Sequence, residues 1–317
     1  MNYRIFCLFF LLVSCSKTVS KDEFSIFTMN TVLTVTTYNA KLAKKDKEAI
    51  SNLLTELENK FSISTDNSIV NQLKKTNVLF YNDDEIFFVL KKSKYFYEIS
   101  EGNFDITIGK LVKTWGFYNE EYRLPSLYEI KKAVLEVGFN NLTFSSNYIQ
   151  LNKNVWFDFG GILKGYAVEK VVSYLKSKGY KTGIVNLGGN LKVFGEKPDG
   201  TKWKIGIRDP RKIGEIFKVI ELEPEESIAT SGDYEKYFIT NGVRYHHILN
   251  PKSGFPVANG VAGVSVITTN AMEADAYSTI LFILGKEKGM NIAKKYNLKA
   301  IFLFENKENK IEEKSNF

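Results

Sequence analysis

Two oxygen-bearing side chains one helical turn apart, Asp275 and Thr279, stand in the stretch AMEADAYSTILFILG. Asn270, followed three residues later by Glu273, carries the pattern of a capping box, so a helix starts there. Positions i and i+4 then share one face. A carboxylate with a hydroxyl is a hard-oxygen pair suited to Mg2+, an ion that keeps several waters and takes other ligands from phosphate. Taken alone, the spacing fits better an exposed aspartate and a threonine bonding back to its own helix. A second stretch, WFDFGGILKGYAVEK, runs from strand-like residues through Gly160 and Gly161 into Lys164 and a helix. It is neither a Walker A loop nor GxGxxG. Even so, glycines let backbone approach a ligand, and a helix N-terminus presents free N–H groups to an anion. Lys164 in the first turn opposes the helix dipole unless an anion lies near; Asp158 could cap the helix or take a ligand hydrogen bond. A tight turn with a solvated lysine reads as well from this stretch alone.

Two further stretches carry candidate groups. In RYHHILNPKSGFP, His246 and His247 are the only histidines. Neighbours on a strand face opposite ways, so at most one points into a given site. A neutral imidazole there is a natural proton acceptor or a half-buried structural group; two rings facing apart make a histidine-rich metal site improbable. In EGNFDITIGKLVKTWGFYN, Asp105 beside Phe104, with Trp115 and Phe117 beyond, offers an acid near aromatic surfaces able to hold a planar ring, or simply core packing.

The elements that must position these groups follow from periodicity. FSIFTMNTVLTVTTY alternates like a strand or hairpin. Ile50, Leu53, Leu54, Leu57 and Phe61 mark an amphipathic helix over Ala43–Phe61. Further helices are expected over Glu85–Ile99, from Ser126 to before Gly138, over Tyr166–Lys178, Ala271–Ile283 and Lys286–Tyr296. NLTFSSNYIQLNKNVWFDF reads as strands parted by short turns, and strands dominate Thr182–Ile267, where Asn241-Gly242 signals a hairpin; KAIFLF closes the fold. This mixture predicts a single α+β unit over 24–305 with antiparallel sheets and packed helices, not a doubly wound sheet. The charged tail, 306–317, is expected to fray.

The 317 residues, 44% hydrophobic and 25% charged, suit a folded domain with an ample core. The net charge of +7 is spread without a basic block, which suits an anionic small ligand and argues against nucleic acid. MNYRIFCLFFLLVSC has an early Arg4 and an apolar run too short to span a bilayer, the pattern of a signal peptide over 1–14. Leu12-Val13-Ser14-Cys15 is similar to a bacterial lipobox, so Cys15 is the expected lipidation site and 15–23 a tether to a membrane, facing the extracytoplasmic space. Cys7 and Cys15 are the only cysteines, so the domain beyond the tether holds no thiol for disulfides or metal.

In this order, FDITIGKLVKTWGF, DFGGILKGYAVEK, VNLGGNLKVFG, IATSGDY, HILNPKSGFP and AMEADAYSTILFILG resemble the FAD:protein FMN transferase (ApbE) family, from Met29 to about Leu303. The resemblance implies a T-fold-like domain that binds FAD with Mg2+, moves FMN onto a Thr or Ser hydroxyl of an acceptor protein, and releases AMP. Asp275, Thr279 and the carbonyl of Gly161 match the family's metal ligands. Asp158 and Lys164 match FAD contacts beside the pyrophosphate, while Met29, Asn103, Phe104, Asp105 and Leu249 fall at other FAD positions. His247 matches the expected base, and Lys164 would share catalysis by neutralising charge. Ser64 stands where many relatives carry a tyrosine that packs on the cofactor; relatives altered there hydrolyse FAD to FMN and AMP. An FAD pyrophosphatase and a non-catalytic, lipid-anchored flavin binder are therefore the alternatives. Asn250 replaces the usual aspartate before Pro251. The family's acceptors carry Ser/Thr-Gly-Ala-Thr, and this chain has no Gly-Ala pair. A separate envelope flavoprotein is thus implied, such as a subunit of an NADH:quinone reductase or an Rnf-type complex. Mass spectrometry of the protein from its native membranes is expected to find Cys15 as the first residue, carrying lipid; an unlipidated N-terminus overturns that reading.

Overall fold

The computed structural model describes residues 19–63, 65–118, 120–308 and 310–317. The signal peptide, Cys15 and Ser64 lie outside the described residues. Met29 and Asn30 adopt left-handed backbone, φ 49° and 57°, and close a two-residue turn between β1 (Lys21–Thr28) and β2 (Thr31–Tyr38). Left-handed geometry is uncommon for a residue such as Met. Glu58 holds it: one carboxylate oxygen accepts from the Met29 amide at 2.8 Å and the other from Thr28 Oγ1 at 3.2 Å.

Glu58 belongs to α1 (Lys44–Phe61), which buries Ile50, Leu54, Leu57 and Phe61 as its periodicity predicts. The short α2 (Ile69–Thr76) was not anticipated; Ser68 caps it by accepting from the Asn71 amide at 3.2 Å. After β3 (Val78–Phe80) come α3 (Asp84–Ile99), α4 (Gly109–Thr114) and α5 (Leu127–Val134), the last with a full Ser126–Glu129 capping box. β4 (Leu142–Phe144) and β5 (Tyr148–Leu151) join β3 in a small sheet, and α6 (Leu163–Ser177) follows, starting before the expected Tyr166.

The second half supplies β6 (Gly183–Leu187), β7 (Asn190–Phe194), the pair β8 (Trp203–Arg208) and β9 (Ile216–Leu222), and β10 (Ser227–Gly232). The hairpin β11 (Tyr237–Thr240) and β12 (Val243–His246) turns at Asn241-Gly242 as predicted. β13 (Val261–Thr268), α7 (Ala271–Lys295), β14 (Lys299–Glu305) and β15 (Ile311–Ser315) complete the chain. The two helices expected after Asn270 are both present within α7 and meet at a kink at Gly285, φ 77°. The charged tail does not fray over Ile311–Ser315: it pairs with β14, Leu303 opposite Glu313.

The fold is α+β. An eight-stranded sheet ordered β1-β2-β6-β7-β10-β13-β14-β15 is antiparallel throughout. Its main core lies with α1, α3, α6 and α7, a second cluster packs Trp203 and Leu222 of β8–β9 against Val193 and Ile301, and a third gathers Leu111, Trp115, Ile130 and Leu249. α6 crosses α7 at close range. A Cβ at Gly165 would lie 2.2 Å from the Ala271 carbonyl oxygen and 2.7 Å from Asp275 Cβ. Backbone meets backbone there, and only glycine fits. Glu169 on α6 accepts from the Ala271 amide and pairs at 2.9 Å with buried Lys192, which joins β7 to the same crossing. Gly165→Ala should therefore lower unfolding stability by about 1–3 kcal/mol or more, the range for overpacking a core; denaturant melts of the two proteins check this.

Candidate active site

Backbone hydrogen bonds stitch two of the sequence stretches together. The Asp158 amide donates to the Ile106 carbonyl at 2.7 Å and the Gly109 amide to the Trp156 carbonyl at 2.8 Å. The segment that holds Asn103, Phe104 and Asp105 is thereby fixed against the glycine turn. Together with the β1–β2 turn, α7 and the strand end after β12, these segments wall a cavity of about 580 Å³, within the range of small-molecule sites. Met29, Asn103, Phe104, Asp105, Asp158, Gly161, Lys164, His247, Leu249, Asp275 and Thr279 all line it.

Thr279 faces the glycine turn, and Asp275 faces the first turn of α6 just beyond it. A Cβ at Gly161 would sit 3.3 Å from Thr279 Oγ1 and 3.1 Å from the Phe104 ring, so the missing side chain is what keeps this space open. Thr279 Oγ1 also reaches the Asp275 carbonyl at 3.4 Å, the self-bonding expected of a helix threonine, and exchanges a hydrogen bond with Ser231 Oγ at 3.1 Å. Ser231 is held in turn by Ser278 at 2.9 Å. Asp275 is buried, and its Oδ2 accepts from the Gly165 amide at 2.9 Å. Burial pushes its pKa up to about 6, against the pull of the Lys164 cation and that amide. The helix start departs from a full capping box. Asn270 Oδ1 accepts from the Glu273 amide at 3.0 Å, but the Asn270 amide donates to Thr268 Oγ1 and Glu273 turns to Lys92.

The two histidines divide as strand alternation requires. His246 is buried, with one ring nitrogen 2.8 Å from the Val257 carbonyl and the other accepting from the Ile248 amide at 3.2 Å. His247 is half-buried on the cavity wall, its Nδ1 3.3 Å from the Lys236 carbonyl. Enclosure, then the Lys164 cation, brings its pKa down to about 3, so the ring is neutral at pH 7. Asp158 does not cap α6: its Oδ1 accepts from the Gly160 amide at 2.7 Å and shapes the turn. Enclosure raises its pKa, opposed by that amide and by Tyr118. Asp105 lines the cavity with both oxygens engaged inside the protein, one by the amide and hydroxyl of Thr107, the other by the Phe139 amide. Trp115 lies in the core instead, stacked on Tyr245 with its indole donating to the Gly254 carbonyl. Asn250 Oδ1 accepts from the Lys252 and Ser253 amides, so it holds the turn before Pro251 as an aspartate would.

Sequence reasoning did not single out Tyr118, Arg208, Ser231 or Lys236, which also line the cavity. Ser231 lay within the quoted IATSGDY, but no spacing rule ties a strand serine to a helix threonine 48 residues later. Arg208 and Lys236 had no signal beyond the diffuse positive charge.

Comparison with known proteins follows the same outline. A family model described as the ApbE family matches residues 29–302. The FAD:protein FMN transferase of Vibrio cholerae is 31% identical over 311 residues, covering 92% of this chain and 90% of the relative. A crystal structure of the Pseudomonas stutzeri flavinyl transferase ApbE in its apo form superposes with TM-score 0.84 at 30% identity, covering 94% of this chain and 95% of that one. The ApbE protein of Thermotoga maritima gives 0.83 at 32% identity, covering 92% and 96%.

The division of the histidines is testable by calorimetry. His246→Ala should cost about 1–3 kcal/mol of stability, because it orphans a buried amide and carbonyl. His247→Ala should cost less than 1 kcal/mol, and equal losses in the two variants would contradict the division.

Proposed function

This chain belongs to the ApbE family, and from that premise we propose that it transfers FMN from FAD to a Thr or Ser hydroxyl of another protein, with Mg2+ at the Asp275 side of the cavity. In this reaction the acceptor oxygen bonds to the FMN phosphorus as the bond from that phosphorus to the AMP oxygen breaks. The hydroxyl proton passes to a base, and AMP leaves with the electron pair. The observation that carries the reading is that Thr279 stands on the open side of Gly161 while Asp275, one helical turn away, and Lys164 line the same cavity.

The donor chemistry fits a magnesium ion. Among the described residues no group of three His, Cys, Asp or Glu side chains could hold a metal. One carboxylate, a hydroxyl and the Gly161 carbonyl instead suit an ion that draws its remaining ligands from phosphate and water. When bound, Mg2+ supplies positive charge against the oxygens of the pyrophosphate. Lys164 adds a second positive charge, fixed in the first turn of α6. Asp158 and Asn103 would border the polar parts of FAD, and Met29, Phe104 and Leu249 its apolar parts. Asp105 would act through the wall it stabilises, its oxygens being already engaged. His247 is the proposed base: neutral at pH 7, it becomes more basic when pyrophosphate enters and offsets the Lys164 charge.

By the same reading the signal peptide and Cys15 anchor the domain outside the cytoplasm, and the acceptor is an envelope flavoprotein such as an NADH:quinone reductase or Rnf-type subunit. Ser64 in place of the relatives' tyrosine supports FAD hydrolysis to FMN and AMP as a second reading.

Incubation with FAD, Mg2+ and a peptide bearing Ser-Gly-Ala-Thr should yield AMP and a peptide heavier by FMN. AMP without modified peptide would indicate hydrolysis, and bound FAD with neither product a simple binder. Asp275→Ala should lower turnover by about 100-fold or more, the loss expected when charge stabilisation at the phosphoryl group is removed. His247→Ala should slow transfer by about 100-fold, the usual contribution of a general base, with FAD affinity retained. The carboxylate must be ionised to bind a cation. Thermal stabilisation by Mg2+ should therefore grow as pH rises through about 6, the folded-state pKa of Asp275, and be absent in Asp275→Asn.

A further inference from the structure

The two edges of the large sheet are β1 and β15, and they are built differently. β15 reads IEEKS, with charges along an edge that would otherwise invite another strand. β1 reads KDEFSIFT: its charges sit at the far end, and the half that approaches the cavity, Phe24 to Thr28, has none. Among the described residues β1 pairs only with β2. The register fixes which groups remain open. The two-residue turn closes on Thr28 opposite Thr31 as a mutually hydrogen-bonded pair, so Ile26, Phe24 and Asp22 bond to β2 in alternation. The other side of β2 agrees, since the Val32 carbonyl accepts from Gly188 and the Tyr38 amide donates to Thr182, both towards β6. Glu23, Ser25 and Phe27 therefore direct their amides and carbonyls away from the sheet.

This open ladder ends at the site. Thr28 leads straight into Met29, Asn30 and Thr31, which line the cavity. Phe27 is 75% exposed and Val32, directly opposite, 50% exposed, so the outer face beside the turn is an apolar pair with nothing over it among the described residues. An unpaired edge without charge from Phe24 to Thr28 is normally blunted, and main-chain pairing is a general way of holding an extended peptide. We propose that the edge from Glu23 to Phe27 binds the acceptor polypeptide as an added strand, with Phe27 and Val32 taking an apolar side chain next to the modified residue. The strand guides that residue past the Met29–Asn30 turn into the cavity. Affinity then comes from main-chain bonds, and selection among acceptors from the Phe27–Val32 face.

The inference rests on the flavin-transfer reading, and the test separates the two. The full chain is given FAD, Mg2+ and a synthetic decapeptide centred on Ser-Gly-Ala-Thr, and peptide mass gain is followed with FAD affinity measured separately by flavin fluorescence. Ser25→Pro removes one outward amide and spares the bonds to β2, while Ser25→Ala controls for the side-chain bond to Thr34. The proline variant should raise the acceptor KM about tenfold with FAD affinity unchanged, and the alanine variant should match the parent. Phe27→Ala should raise the acceptor KM about threefold or more, which keeps the test decisive if the proline variant fails to fold. In the parent, the Glu23, Ser25 and Phe27 amides should gain protection from hydrogen exchange when peptide is added. An unchanged acceptor KM without added protection overturns the edge and leaves transfer standing; a parent that never modifies the peptide overturns the transfer reading, and the edge with it.

Discussion

The contact between Gly165 and the first turn of α7 is the constraint on which the rest depends. With no side chain at 165, the two helices meet backbone to backbone, and the Gly165 amide reaches the Asp275 carboxylate at 2.9 Å. One residue thus sets the distance between α6, which carries Lys164, and α7, which carries Asp275 and Thr279. The pair of half-buried Glu169 with buried Lys192 and the Glu169 bond to the Ala271 amide keep the same crossing from sliding. Precise side-chain placement is here a product of backbone proximity.

That placement creates an electrostatic environment which is uncomfortable without a ligand. A buried carboxylate, an enclosed imidazole and a lysine share one cavity, and the pKa values of Asp275 and His247 both move toward the neutral form. On the proposed reading each of those shifts would be relieved by a different part of a metal-bound pyrophosphate: the cation would suit the carboxylate, and the phosphates would offset Lys164.

Legibility in the sequence followed the range of the interactions. α1 was readable because Ile50, Leu54 and Leu57 repeat at helical spacing, and the β11–β12 turn because Asn241-Gly242 suits left-handed backbone. The division between His246 and His247 followed from strand alternation alone. α2 escaped because eight residues hold too few periods, and β15 because a charged strand looks like a solvated tail until β14 is seen beside it. In the site, Asp275 and Thr279 were visible as an i, i+4 pair. Ser231 was not, since its bond to Thr279 exists only once β10 lies beneath α7. Of the two roles open to Asp158, a helix cap or a ligand contact, the cap is excluded because its Oδ1 accepts from Gly160, two residues on, before α6 begins.

The break at Gly285 bears on how one long element covers the core. With φ at 77° it interrupts the run of aligned peptide dipoles, and Asn259 fills the gap by donating to the Phe282 carbonyl at 2.8 Å. The segment from Lys286 to Lys295 is thereby a second helical stretch, yet its Met290 and Ala293 pack in the same core as Ile280 and Leu281 of the half that carries Asp275. The chain thus changes course at this joint and still covers one core on both sides of it, tied at its far end to β14 inside the sheet.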